Sequence, residues 1–597
     1  MANRVCMGNE AIALGAISAG VSIVSGYPGT PSTEIIETLL NEKVSGINVQ
    51  WSTNEKTALE VAAGAAYAGA RSMVTMKQVG LNVAADPLMS LSYVGVQGGM
   101  VIVVADDPGP WSSQTEQDTR HFAKYANLPV FDPSSPEEAY EMVSAAFDLS
   151  EEFKLPVFLR PTTRVCHASA TVNIESAPHP KPASGFEKKP DWIIFPALSY
   201  RKHGELEKKQ KLISEKFSTL QFNRIFSGGR KGIAASGISY QYVREVIKEF
   251  GLDLTVLKVG TPYPLPLKLA EEFLSSVDSL LVVEELDPVL EEQLLLISAG
   301  KNKIFGKMTD NLPCNGEYSF ELIKNAVLKF VGIEVEDPKL VDIPTLPIRP
   351  PVLCAGCPHR ASFYAAKIAS KNDEKMVYCG DIGCYTLGNA APLNMVDTCL
   401  CMGAGITIAQ GISLAEKGTK CIAFIGDSTF FHSGISGVIN AVYQNANITI
   451  AVLDNHTTAM TGGQPHPGTG RTAMGMPAKP LYIEKILRAC GVEHISKVNP
   501  FKYEETVDAF KKAIEHQGPS AVIAKAPCIA LIKLPPLVRR INETCIGCLK
   551  CIKQLGCPAM SVGSNGKVVI NETVCTECSL CSNVCPVGAI KKVDRNV

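Results

Sequence analysis

The sequence predicts an α/β protein built from three doubly wound units in a row and closed by a small cysteine-rich tail. Three observations carry that expectation. Short apolar runs ending in polar or glycine turns alternate with helical periods through most of the 597 residues. Two proline-rich stretches, "ESAPHPKPASGFEKKP" (175–190) and "DPKLVDIPTLPIRPP" (337–351), interrupt that alternation and read as boundaries. Eight of the twenty cysteines fall beyond residue 540 in a doubled pattern. The domains expected are therefore residues 1–185, 190–345, 346–535 and 536–597.

In the first unit, "GMVIVVADD" (99–107) and "LPVFLRPTTRVCH" (155–167) are apolar runs ending in polar residues, the mark of a parallel strand whose loop lines a site. The second carries "KGIAASGISYQYVREVIKEF", "LTVLKVG" and "SLLVVEELD", a strand, glycine turn and helix followed by two strands. It shows no defensible site. In the third, "CIAFI" ends in Gly426-Asp427-Ser428 and "ITIAVL" in Asp454-Asn455. Ligands of open α/β sheets bind at such strand ends, so Asp427 and Asn455 should share one edge. A carboxylate and an amide oxygen suit Mg²⁺, and Gly426 would let the backbone approach a phosphate. Taken alone, this is also how an ordinary strand end with a helix-capping Asp reads.

In the tail, Cys545, Cys548 and Cys551 are spaced C-x2-C-x2-C, with Cys557 before Pro558. Cys575, Cys578 and Cys581 repeat the triplet, with Cys585 before Pro586. As in bacterial two-cluster ferredoxins, each triplet is completed by the other's remote Cys-Pro. One [4Fe–4S] cluster takes Cys545, Cys548, Cys551 and Cys585, and the other Cys575, Cys578, Cys581 and Cys557. The first repeat departs from C-x3-C-P, with five residues between Cys551 and Cys557. Zinc sites use paired hooks rather than triplets with a remote Cys-Pro.

Hydrophobic residues make up 46% and charged residues 19%, a balance that builds large cores. A net charge of −2 without a long basic block excludes a nucleic-acid partner. The start (1–32) has a basic residue and an apolar stretch. Four glycines between Gly15 and Gly29 make it a helix and strand of the first unit rather than a signal peptide. No run of about 18 apolar residues predicts a membrane span. Thiolate ligands call for a reducing compartment, so a cytoplasmic location is expected.

"GDS" followed some twenty-five residues later by "DN" resembles the thiamine-diphosphate motif GDG…NN, with Ser428 for the last glycine. "SGYPGTPSTEI" resembles the YP-x-TPS signature of 2-oxoacid:ferredoxin oxidoreductases. With "NEKTALEVAAGAAYAGAR", "MKQVGLNVAADPLMS", "CAGCPHR", "GDIGCYTLG" and "LDNHTTAMTGGQPHP", the whole chain resembles the alpha subunits of indolepyruvate:ferredoxin oxidoreductases. The resemblance implies two thiamine-binding units flanking a middle unit like the transketolase C-terminal domain. It implies thiamine diphosphate near Gly426 and Ser428, and Mg²⁺ on Asp427, Asn455 and the Thr457 carbonyl. Glu55 would be the glutamate that protonates the cofactor's pyrimidine, with Glu60 as its rival. Thr30 would contact the substrate carboxylate, although Thr and Ser here could equally cap the next helix. Cys354, Cys357, Cys384 and Cys528 would hold a third [4Fe–4S] cluster.

The implied reaction is oxidative decarboxylation of an arylpyruvate to an arylacetyl-coenzyme A with reduction of ferredoxin. A separate beta subunit would complete an (αβ)₂ assembly. Rival readings are another 2-oxoacid specificity, a non-redox thiamine-dependent decarboxylase, or a pure electron-transfer subunit. His432, Gln464 and His466 are further candidates to contact substrate. Arg120 is a candidate carboxylate binder that would otherwise lie on a solvated helix face.

Overall fold

A computed structural model describes residues 2–175, 180–334, 344–347, 350–373, 375–533 and 537–595. Most of the stretch 337–351 lies outside the described residues, as do the boundary at 535 and part of the stretch 175–190. The chain divides into two compact units, residues 1–342 and 343–597.

The first unit contains two sheets. One is wholly parallel, in the order Asn48–Trp51, Ile23–Gly26, Ser72–Lys77, Met100–Ala105, Val157–Leu159, Val130–Phe131. Its central strands are buried on both faces, which is why "MVIVVA" reads as an unbroken apolar run. Strand Ile23–Gly26 is followed in sequence by its neighbour on one side and then by its neighbour on the other. This reversal is the switch point at which such sheets hold ligands. The second sheet runs Lys303–Phe305, Ser279–Val283, Lys231–Ser236, Thr255–Val259, Asn223–Phe226, parallel except for its last, edge strand.

A buried ion network ties elements of these two sheets together. Arg120 is fully buried. Its guanidinium donates to Asp118 at 2.5 Å, to Glu284 at 2.6 Å, and to the carbonyls of Glu285 and Asp287 at 2.9 and 3.0 Å. Arg160 beside it donates to Asp106 at 2.7 Å and pairs with Asp132. Burial alone would raise the Asp118 pKa, but the two guanidiniums hold that carboxyl well below the usual range. Arg120 is thus neither a free carboxylate binder nor on a solvated face. Apart from Asp118, two residues back, its partners lie some 165 positions away, beyond any local pattern.

Burial pushes the nearby Glu285 carboxyl up to about 7. An unfolded Glu titrates near 4.3, so the stability this neutral carboxyl contributes is full below about pH 4 and is lost as pH rises through 7. Glu285→Gln keeps an acceptor for the Tyr318 amide. It is expected to flatten the fall in melting temperature between pH 5 and 8, read by calorimetry. Asp132, pushed up by burial to about 6, titrates in the same window and keeps part of the slope.

The second unit holds a five-stranded parallel sheet in the order Met376–Cys379, Lys420–Gly426, Thr449–Asp454, Ser520–Lys525, His494–Val498. Two small antiparallel pairs form the tail, Leu537–Ile541 with Ile590–Asp594 and Met560–Val562 with Val568–Ile570. No helix among the described residues is long and apolar enough to cross a membrane.

Candidate active site and cluster sites

At the switch point of the first sheet, three adjacent strand ends present Thr30, Glu55 and Lys77. Ile23–Gly26 leads into the turn Tyr27–Thr30. That turn is closed by Ser32, whose hydroxyl donates to the Gly29 carbonyl at 2.9 Å, and by Thr33, whose hydroxyl accepts from the Gly29 N–H at 3.0 Å. Ser32 is the N-cap of the helix Thr33–Glu42, but no side chain caps it, so the Ser32 and Thr33 hydroxyls close the turn and Thr30 does not cap the helix. Thr30 is half-buried, and its carbonyl accepts from the Ser112 hydroxyl at 3.0 Å.

Glu55 opens the helix Glu55–Tyr67 after the N-cap Asn54, whose side chain accepts from the Thr57 amide at 2.9 Å. Glu55 is buried, whereas the Glu60 side chain is 46% exposed and paired with Lys56. Of the two carboxylates only Glu55 points inside the protein. A Cβ on Gly80 would come within 2.6 Å of Glu55 Oε1, so glycine there lets the next helix close over the carboxylate. Gly80→Ala is expected to displace Glu55 and lower kcat roughly 10–100-fold, measured by turnover, as a displacement of about 1 Å does elsewhere. Bound cofactor should be retained.

In the second unit, Lys420–Gly426 and Thr449–Asp454 are parallel neighbours with Gly426 opposite Leu453. Their ends therefore bring Asp427 and Asn455 to one edge, and both are buried. Asp427 accepts from the amides of Ser428 at 2.9 Å and His456 at 2.7 Å, and bonds His466 Nε2 at 3.1 Å. Asn455 Oδ1 accepts from the Thr457 amide at 3.1 Å, and its Nδ2 faces His359 Nε2 at 3.1 Å. The donor set of carboxylate, amide oxygen and the Thr457 loop is made of hard oxygens on one buried edge, which fits Mg²⁺. Gly426 serves a purpose not foreseen: a Cβ there would lie 2.5 Å from the Tyr385 ring. Ser428, where the motif has glycine, is held by Thr458 through a 2.8 Å hydroxyl pair.

His359 went unremarked in the sequence although "CAGCPHR" contains it. It is fully buried, and burial lowers its pKa to about 4, so Nε2 accepts from Asn455 and turns the amide oxygen away from the ring. His359→Leu is expected to weaken Mg²⁺–thiamine diphosphate binding about 10–100-fold, the usual cost of losing such a support, measured by calorimetric titration. Asp381 was also missed. It accepts from the amides of Ile382, Gly403 and Gly405 at 2.7, 2.9 and 3.3 Å, and burial pushes it up to about 7. Of the weaker candidates, His466 reaches Asp427, His432 bonds Ser433 at 3.0 Å, and Gln464 exchanges two 2.6 Å bonds with Thr461.

None of the twenty cysteines is joined in a disulfide. Cys545, Cys548, Cys551 and Cys585 line one cavity. Cys557, Cys575, Cys578 and Cys581 line a second, whose wall also includes Ala355 and Cys357. The longer spacing before Cys557 is taken up by the helix Lys550–Leu555 and by Gly556, whose φ of +56° turns the chain back. Among the described residues no three His, Cys, Asp or Glu converge on a point that would hold one metal ion. Thiolates ringing a cavity fit a cubane, whereas tetrahedral zinc would draw them to about 3.8 Å apart. Of the third set, Cys354, Cys384 and Cys528 are neighbours, and Cys357 follows Cys354 in the same loop but lines the second tail cavity. The Cys384 thiol is pushed up to about 11 by burial and by the neighbouring thiols of Cys528 and Cys354, and the Cys357 amide bonds the Cys354 carbonyl at 3.2 Å. Cys528 hangs from the Asn455 loop through its amide on the Asn455 carbonyl, at 2.9 Å.

Residues 14–192 match the family "Pyruvate flavodoxin/ferredoxin oxidoreductase, thiamine diP-bdg", residues 381–524 "Thiamine pyrophosphate enzyme, C-terminal TPP binding domain", and residues 568–591 "4Fe-4S binding domain". Fold and site therefore define a thiamine-diphosphate-dependent, iron–sulfur oxidoreductase. The indolepyruvate oxidoreductase subunit IorA of Methanothermobacter thermautotrophicus is 43% identical over 98% of this chain and 96% of its own length. Those of Archaeoglobus fulgidus and Pyrococcus horikoshii are 42% and 41% identical over 99% and 98% of this chain and 97% and 96% of theirs. The chain belongs to the indolepyruvate oxidoreductase IorA family.

Proposed function

We propose that this chain is the alpha subunit of an arylpyruvate:ferredoxin oxidoreductase. In the overall reaction an arylpyruvate anion, coenzyme A and two oxidised ferredoxins give arylacetyl-coenzyme A, CO₂, two reduced ferredoxins and a proton. The observation that carries this reading is the shared buried edge of Asp427 and Asn455, in the same unit as three cysteine sets. Thiamine diphosphate, when bound, supplies the electron sink for the carbon–carbon bond that breaks as CO₂ leaves. Asp427, Asn455 and the Thr457 carbonyl would hold its Mg²⁺. The Glu55 carboxyl would hold a proton at Oε1 or Oε2 for the pyrimidine, and Thr30 would orient the substrate carboxylate. The cysteine sets would hold two tail clusters and a third beside the metal loop, at potentials low enough to reduce a ferredoxin.

A beta subunit and ferredoxin are the expected partners, with coenzyme A as co-substrate and (αβ)₂ as the assembly. The four domains expected from the sequence, with boundaries near 185, 345 and 535, remain our division of the chain. Anaerobic turnover of the assembled complex on a panel of 2-oxoacids, with ferredoxin reduction as readout, tests the reading. Decarboxylation without ferredoxin reduction would favour the non-redox enzyme, and native protein without thiamine diphosphate would favour an electron-transfer subunit. Iron analysis of anaerobic protein is expected to approach twelve irons per chain, four for each [4Fe–4S] set. A value near eight would remove the third cluster.

A further inference from the structure

A 2-oxoacid carries a carboxylate, and a buried carboxylate needs a cation or several N–H donors. The arginines near the Thr30 edge are committed elsewhere. Arg120 is held by Asp118 and Glu284, Arg160 by Asp106 and Asp132, and Arg164 by Glu317. Lys77 is placed differently. It ends the strand Ser72–Lys77, between the strands that lead to Thr30 and to Asp106. Its stem lies over Gly29, where a Cβ would approach Lys77 Cδ to 2.8 Å, so the turn before Thr30 is shaped to admit this side chain.

The ammonium donates to the Ser112 carbonyl at 2.8 Å, and the Ser112 hydroxyl donates to the Thr30 carbonyl at 3.0 Å. The carboxylates that act on Lys77 are Asp107 and Glu55. Asp107 is already engaged by the Ser112 amide at 2.9 Å and the Thr163 hydroxyl at 2.7 Å. An ammonium has three donors, of which the Ser112 carbonyl takes one. Burial works against the charge of Lys77, and an arriving anion would relieve that penalty.

We infer that Lys77 binds the carboxylate of the 2-oxoacid, alongside Thr30, and so sets the acid requirement of the site independently of the aryl group. The inference rests on the activity proposed above. Lys77→Gln separates it from a purely structural role, because the glutamine amide can still donate to the Ser112 carbonyl but carries no charge. In the holo complex, Lys77→Gln is expected to raise KM for indolepyruvate and phenylpyruvate alike by roughly 10–100-fold, the worth of one charge-assisted hydrogen bond. KM for coenzyme A, thiamine diphosphate content and melting temperature should hold.

A readout independent of turnover is calorimetric binding of indole-3-propionate against its amide. The wild-type complex should prefer the acid, and the variant should lose the preference. A KM within twofold of wild type with the acid preference intact would overturn the inference. So would a Lys77→Gln protein that loses thiamine diphosphate or fails to fold, since Lys77 would then be a structural pin. A wild-type complex that turns over no 2-oxoacid refutes the proposed activity instead, and the binding comparison still reports on Lys77.

Discussion

Asp427→Ala is expected to lower turnover by more than about a hundredfold, beyond the 10–100-fold cost of disturbing a residue that only supports a metal ligand. The carboxylate holds the amides of Ser428 and His456 together and meets His466, so its removal frees both strand-end loops and takes away the oxygen proposed to hold Mg²⁺. The variant should purify without stoichiometric thiamine diphosphate yet keep its tail iron and the electron paramagnetic resonance of the reduced tail clusters. Asp427→Asn, which keeps one oxygen and the shape, should be less severe. Full turnover with bound cofactor in the alanine variant would sink the assignment.

The second large effect concerns stability. Arg120→Leu takes its cation from buried Asp118 and Glu284, and leaves the carbonyl of Glu285 without the Arg120 donor. Stranding buried partners in this way costs about 3–5 kcal/mol. The variant is expected to melt many degrees lower or to be recovered only as aggregate. Neutralising the partners, in Arg120→Leu with Asp118→Asn and Glu284→Gln, should restore a large share of the loss. Denaturant melts of the four-variant cycle measure the coupling. A single variant that melts with wild type would show that the network is energetically idle.

What could be read from the chain divides along physical lines. Strand ends were legible because a parallel strand buried on both faces is a pure apolar run, and its first polar residues mark the sheet edge. "CIAFIGDS" and "ITIAVLDN" gave Asp427 and Asn455 in this way. The tail was legible because cluster loops are local. Arg120 was illegible because, although Asp118 lies in the same stretch, Glu284 and the carbonyls that complete its burial follow a strand of the second sheet, and "TEQDTRHFAKYA" alone looks like any polar helix start. Glu55 and Glu60 could be told apart only by burial, since one helical turn separates them. Gly426 was read as a phosphate contact; that it also makes room for Tyr385, a residue forty-one positions earlier, was not legible. His359 and Lys77 lay inside the quoted motifs, but nothing nearby in sequence says what their side chains meet.

The wall of the second tail cavity carries a mechanical consequence. Ala355 and Cys357 of the C-x2-C loop face the tail cysteines directly. Arg360 fastens the same segment to the carbonyls of Leu555 and Gly556, and the Tyr364 hydroxyl donates to Gln554 at 2.7 Å. A swinging carrier arm must let go of its parent domain in each cycle, and this tail is clamped to its own. Electron passage between the two would then be tunnelling across a fixed gap rather than a diffusive search. Its rate should be indifferent to solvent viscosity, which should slow only the encounter with external ferredoxin.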